Sequence, residues 1–164
     1  MFQQVLAALP AKPPKVHLGP GCQRYLRDHG VPESLITTLD ECAYAGDIPI
    51  GRLWLAPLGE LDVDNQREEN LPCIEHGFLI VGSGLNGDPV ALQISTGKMV
   101  FVSHDLLWER DYDDFDECVV QSPLEFHAFW SAALENIDFP VDSYAARDSW
   151  HRGDSAERRE ADAG

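Results

Sequence analysis

Positive charge is scarce in this chain: 12 lysines and arginines stand against 28 aspartates and glutamates, for a formal net charge of −16. A field of that sign repels the phosphates of DNA and RNA, so nucleic acid is excluded as an expected partner. It attracts a basic protein instead, and it also favours solubility. Long apolar runs are missing as well. No stretch approaches the roughly 20 apolar residues that cross a bilayer, and no membrane partner is expected. The opening MFQQVLAALP lacks the basic start and sustained apolar run of a secretory leader. Cysteine is sparse and scattered, with Cys22, Cys42, Cys73 and Cys118 forming no C-x-x-C pair. That pattern argues against a disulfide framework or a clustered zinc site. It predicts reduced, mostly buried thiols in a cytoplasmic protein.

What is present is the composition of a folded chain, with 44% apolar and 9% aromatic residues. A length of 164 residues is enough for one domain with a real core plus tails. Residues 1–20 read as an N-terminal helix and a Pro-rich linker, 21–141 as an α+β domain, and 142–164 as a polar, mobile tail. Phe2, Val5, Leu6 and Leu9 line one face of a short helix. Pro13, Pro14 and Pro20 punctuate the linker. A helical turn over 21–29 ends at Gly30. Pro32 then precedes a helix over 33–43, in which Leu35, Ile36, Leu39 and Cys42 recur at helical spacing.

The pattern changes after residue 50. Short apolar runs at 52–56, 78–81, 89–94 and 98–102 read as strands, and the polar, acidic stretch 58–70 after the first reads as a helical turn and loop. Ser95-Thr96-Gly97 is a tight hairpin connection, and strands this close in sequence must be antiparallel. Ser122-Pro123-Leu124-Glu125 has the form of a capping box that opens a helix. Phe126, Phe129, Trp130, Ala133 and Ile137 follow as an apolar stripe suited to lie across a sheet, and Pro140 stops it.

Gly82-Ser83-Gly84-Leu85-Asn86-Gly87 matches the dinucleotide pattern G-x-G-x-x-G after a strand. The chemistry needs a helix N-terminus after the third glycine to hold pyrophosphate. Here Asp88-Pro89 and another strand follow, so the reading is a β-turn. Catalytic patterns are equally thin. His76, His104 and His127 stand in no metal spacing, and no G-x-S-x-G is present. A His104–Asp105 pair is conceivable, but neighbours on a strand point to opposite faces. Cys73 is a candidate nucleophile with no assigned base. A hydrolase-like enzyme using His104 and nearby acids therefore stays as the alternative, with no cofactor and no metal expected.

The densest acidic segment is 105–117. Asp105, Glu109, Asp111, Asp113, Asp114, Asp116 and Glu117 lie there with one basic residue, Arg110, interleaved with Leu106, Leu107, Trp108, Tyr112 and Phe115. The start Asp111, Asp113, Asp114 resembles a calcium loop but lacks its glycine and its closing glutamate. One reading is a solvated loop with aromatics tucked into the core. The sharper one is a partner-binding surface in which Trp108 and Tyr112 anchor and the acids steer a basic protein.

Taken in order, several short motifs resemble an SMI1/KNR4 (SUKH) domain over roughly 30–138. They are Gly30-Val31-Pro32-Glu33-Ser34-Leu35, Leu53-Trp54-Leu55, Leu58-Gly59-Glu60-Leu61 and Asn65. Phe78-Leu79-Ile80-Val81-Gly82, Asn86-Gly87-Asp88, Thr96-Gly97-Lys98-Met99-Val100 and His104-Asp105 follow. Val119-Val120 and Ser122-Pro123-Leu124-Glu125-Phe126 complete the set. The resemblance implies an α+β fold with a mostly antiparallel twisted sheet flanked by helices. It also implies a non-enzymatic role, as a bacterial immunity protein that occludes a cognate toxin, often a nuclease. A regulatory adaptor binding through the sheet edge is a further possibility of the same kind.

Overall fold

The computed structural model describes residues 2–150, and the last part of the expected tail lies outside the described residues. Strands β1 (Ile48–Ile50), β2 (Leu53–Leu55), β3 (Phe78–Ser83), β4 (Pro89–Gln93), β5 (Lys98–Val102) and β6 (Val119–Glu125) form one sheet in sequential order. Every neighbouring pair is antiparallel. Helices α1 (Phe2–Ala8), α2 (Pro20–Asp28), α3 (Glu33–Glu41), α4 (Leu61–Asn65), α5 (Leu71–Glu75), α6 (His104–Glu109) and α7 (Phe126–Glu135) surround it. The fold is α+β, with a mostly antiparallel sheet flanked by helices, as the patterning predicted.

The middle strands are buried on both faces, which explains why their sequences read as apolar runs and not as alternation. Leu79, Val81, Val90, Leu92, Met99 and Phe101 enter the larger core with α1, α2, α3 and α7. Phe78, Ile80, Ala91, Val100 and Val102 enter a smaller core with Cys73, Leu107, Phe115 and Cys118. Helix α7 crosses the larger face as the stripe predicted, and Phe2 stacks on its Trp130 at 6.4 Å between ring centroids. Ile137 does not belong to that stripe. The helix ends at Glu135, and Ile137 is 78% exposed.

The capping box at Ser122 does not form. Residues 119–125 remain extended as β6, and the Ser122 hydroxyl accepts the Leu124 N–H within the strand. Ladder pairing of Glu125 with Lys98 wins over local capping, with a register shift between Lys98 and Val100 to absorb the irregularity. Pro123 is tolerated because β6 is an edge strand. Strand β1 and helix α5 had no clear signal; β1 is only a three-residue hairpin arm.

Each glycine of the G-x-G-x-x-G run has a packing or turn reason. A Cβ on Gly82 would sit 2.3 Å from the Trp54 carbonyl oxygen and 2.7 Å from the Trp130 ring. On Gly84 it would lie 2.5 Å from the Val141 carbonyl oxygen. Gly87 turns the chain with φ at 93°. The turn itself needs only Gly87; Gly82 and Gly84 are required by close packing.

Asn65 does the work of a missing strand. Strand β2 pairs with β3 only at Gly82 and Ser83, so the first half of β3 has open backbone groups. The buried Asn65 amide accepts the Ile80 N–H at 2.8 Å and donates to the Ile80 carbonyl at 3.0 Å. Its side chain thus satisfies the strand and fastens α4 to the sheet.

The tail expected from Asp142 onward starts as structure. Residues 143–150 are helical. Ala146 is fully buried, and Trp150 packs against Phe101 and Phe139 with centroids at 5.9 and 6.2 Å. Helical spacing between Ala146 and Trp150 puts both on the face toward the larger core.

Candidate functional site

The acidic segment is an excursion between β5 and β6. Its base is closed where Val102 pairs with Val119 and the Ser103 N–H reaches the Cys118 carbonyl at 2.8 Å. Leu107, Phe115 and Cys118 hold it down by filling the smaller core. His76 stacks flat on Phe115 at 4.3 Å, and Tyr112 meets the same ring edge-on at 5.8 Å. The excursion is therefore packed along its inner side. Helix α6 stops at Arg110, which takes a left-handed backbone with φ at 54°. A 3-10 turn at Phe115–Cys118 follows, with Asp114 and Glu117 exchanging capping hydrogen bonds.

All seven acids of the segment are exposed. They divide by partner. Asp105 faces His104 and accepts the Tyr144 hydroxyl, and Asp114 and Glu117 cap the 3-10 turn. The carboxylates of Glu109, Asp111, Asp113 and Asp116 have no hydrogen bond or ion pair among the described residues. Trp108, in the same segment, is 49% exposed. A shallow depression of about 280 Å³ joins Trp108, Leu107 and Arg110 to Glu68 and Glu69, so the acidic face extends beyond the segment itself. Tyr112, named with Trp108 as an anchor, is half-buried against Phe115 and belongs to the support more than to the surface.

Behind this face lies a carboxylate that the sequence did not single out. Asp88 is fully buried at the mouth of β4. Its Oδ1 accepts the backbone N–H of His104 at 2.9 Å and faces His104 Nδ1 at 2.6 Å. Its Oδ2 accepts the Ser143 N–H at 2.8 Å. Burial pushes the Asp88 carboxyl up, but these donors from His104 and Ser143 outweigh it and hold the group below its ordinary range. The other nitrogen of His104 lies 3.0 Å from Asp105 Oδ1. The expectation that neighbours would point apart fails here because His104 and Asp105 open a helix and are not in a strand. Tyr144, 59% exposed, donates to Asp105 Oδ2 at 2.8 Å, which pushes its phenol above the usual value. Arg147 donates to the Glu117 carbonyl at 2.7 Å. The helical residues 143–150 are thus part of the acidic face.

The remaining candidates fall apart in space or chemistry. Cys73 is buried, and burial pushes its thiol up to about 12, away from the thiolate a nucleophile needs. His76 Nδ1 is directed at the Pro72 carbonyl at 2.7 Å. His127 is partly buried, and burial pushes its imidazole down. No group of three His, Cys, Asp or Glu side chains that could hold a metal ion exists among the described residues, so the partial calcium pattern at Asp111, Asp113 and Asp114 closes no shell there. No helix among the described residues is long and apolar enough to cross a membrane. A second exposed patch sits at the other edge of the sheet, where Trp54 and Leu85 are 45% and 56% exposed beside Pro49 and Arg52. In comparisons with protein-family models, with curated proteins and with solved structures, nothing matches this chain.

Proposed function

We propose that the chain is a protein-binding domain without catalytic chemistry, and that its acidic face receives a cationic protein. The more specific reading is an immunity protein of the SMI1/KNR4 kind that occludes a cognate toxin. The observation that carries the binding reading is the set of exposed carboxylates at Glu109, Asp111, Asp113 and Asp116. They have no internal partner, and they share a firmly packed excursion with a half-exposed tryptophan that borders Glu68 and Glu69. Carboxylates with no structural employment are free to steer a basic partner, and an exposed indole on the same excursion supplies the desolvated anchor that interfaces use. A patch of about 800 Å² per partner is enough for a stable complex. Four free, buried thiols fit a reducing compartment, and we place the protein in the cytoplasm. A hydrolase built on His104 fits less well, because both ring nitrogens face carboxylates and neither is turned to an open cleft.

The test is a pull-down of the toxin encoded next to this chain's gene, at low salt, with wild type and Trp108→Ala. Retention by wild type and a loss of about 30-fold in affinity for the variant are expected. An absence of any complex at low salt would remove the immunity reading. The exposed Trp54 and Leu85 favour a second reading, an adaptor that binds through the sheet edge. Trp54→Ala distinguishes the two, since it weakens the complex only if that edge is the interface.

A further inference from the structure

We infer that His104 is a proton-dependent clasp which fixes the acidic face to the helical residues 143–150. The geometry sets the requirement. Nδ1 lies 2.6 Å from Asp88 Oδ1 and Nε2 lies 3.0 Å from Asp105 Oδ1. Ionised carboxylates only accept, so both contacts need an N–H from the ring. A neutral imidazole has one, and the imidazolium has two. Both contacts are therefore satisfied only while the ring is doubly protonated.

The two contacts are not equal. Asp88 is fully buried and is fixed by the backbone N–H groups of His104 and Ser143 as well. Giving up its ring contact would strip a donor from a buried charge, which is costly. Asp105 is half-exposed and can turn to water. On deprotonation the remaining N–H stays with Asp88, and the Asp105 contact opens.

What opens with it follows from the neighbours. Asp105 Oδ2 is the acceptor for the Tyr144 hydroxyl, so the link from α6 to residues 143–150 loses its anchor at Asp105. The Trp108 ring packs against the His104 ring with centroids 4.8 Å apart, so the exposed indole senses the same change. The charged and titratable groups that face the clasp are Asp88 from the mouth of β4, Asp105 from α6, and Tyr144 with Arg147 behind it from the last helical stretch. With both ring nitrogens protonated the face is a single fixed surface. With one proton lost, Asp105 and Tyr144 move apart from the ring, and the face is looser at its centre. The clasp stands on its own geometry, whatever binds the face.

The experiment is an NMR titration of the full chain from about pH 5 to pH 9, the window in which histidine changes charge. It follows the imidazole nitrogens of His104, the indole N–H of Trp108 and the ring signals of Tyr144. All three should titrate with one midpoint, and the nitrogen signals should show the remaining proton on Nδ1 at high pH. In a folded His104→Gln variant the transition at Trp108 and Tyr144 should be lost. In Asp105→Asn, which keeps the buried half of the clasp, Tyr144 should drop out of the transition while Trp108 still follows. Signals of Trp108 and Tyr144 that stay flat through the His104 titration would overturn the clasp. So would a high-pH proton on Nε2, or an unchanged Tyr144 transition in Asp105→Asn.

Discussion

Asp88 and the carboxylates of 105–117 are the same chemical group in opposite settings. Asp88 has no exposed surface and three donors from two other parts of the chain. Glu109, Asp111, Asp113 and Asp116 are exposed and have no partner among the described residues. One acid ties β4, α6 and residues 143–150 into a unit, and the exposed acids of the excursion are free to act outward. Counting acids along the sequence therefore ranks them in the wrong order. The isolated one holds the fold, and the clustered ones carry the field that a partner meets.

The largest effect that could break this contrast is Asp88→Ala. It leaves the buried Ser143 N–H, the part-buried His104 N–H and the His104 ring without an acceptor, and should cost about 3–5 kcal/mol in urea unfolding. A loss within experimental error would mean that the buried acid is dispensable. A smaller, graded form of the same effect appears against pH in the wild type. The folded pKa of Asp88 lies below its unfolded value, which is about 3.9, so on acidification the unfolded state takes up the proton first. The stabilisation is fully present above the unfolded value and is lost as pH falls through the folded one. Asp88→Asn should remove that acid-side slope. The smallest effect on the fold belongs to the triple variant Asp111→Asn, Asp113→Asn, Asp116→Asn. Its urea midpoint should match wild type, because none of these side chains has an internal partner to lose. A clear shift would show that the acidic face is structural after all.

The sheet was legible where burial imposes a simple pattern. Apolar runs at 78–81 and 98–102 sit between two cores, and no other element satisfies so short and continuous a run. The stripe of α7 was legible for the same reason up to Ala133. It failed at Ile137, where the helix had already ended. Ser122-Pro123-Leu124-Glu125 misled because a capping box is a local preference, and a ladder to β5 is worth more than one cap. The acidic face could be found from charge density alone. Asp88 and Tyr144 could not, since the first is a lone acid in a turn and the second a lone tyrosine in a polar stretch. Their link through His104 and Asp105 is made of contacts 16 and 39 positions apart, and no local spacing encodes it.

The proposal that the acidic face steers a cationic partner is tested most directly by association kinetics. The rate at which the full chain binds the partner proposed above, a toxin encoded beside its gene on that reading, should be measured at about 0.01 M and about 0.15 M salt, where the screening length falls from about 30 to about 8 Å. For wild type the on-rate should drop steeply with salt. For the triple asparagine variant it should start lower and depend on salt less, while dissociation changes little. Equal on-rates for the two proteins, flat across salt, would contradict the assignment of this face as the docking surface.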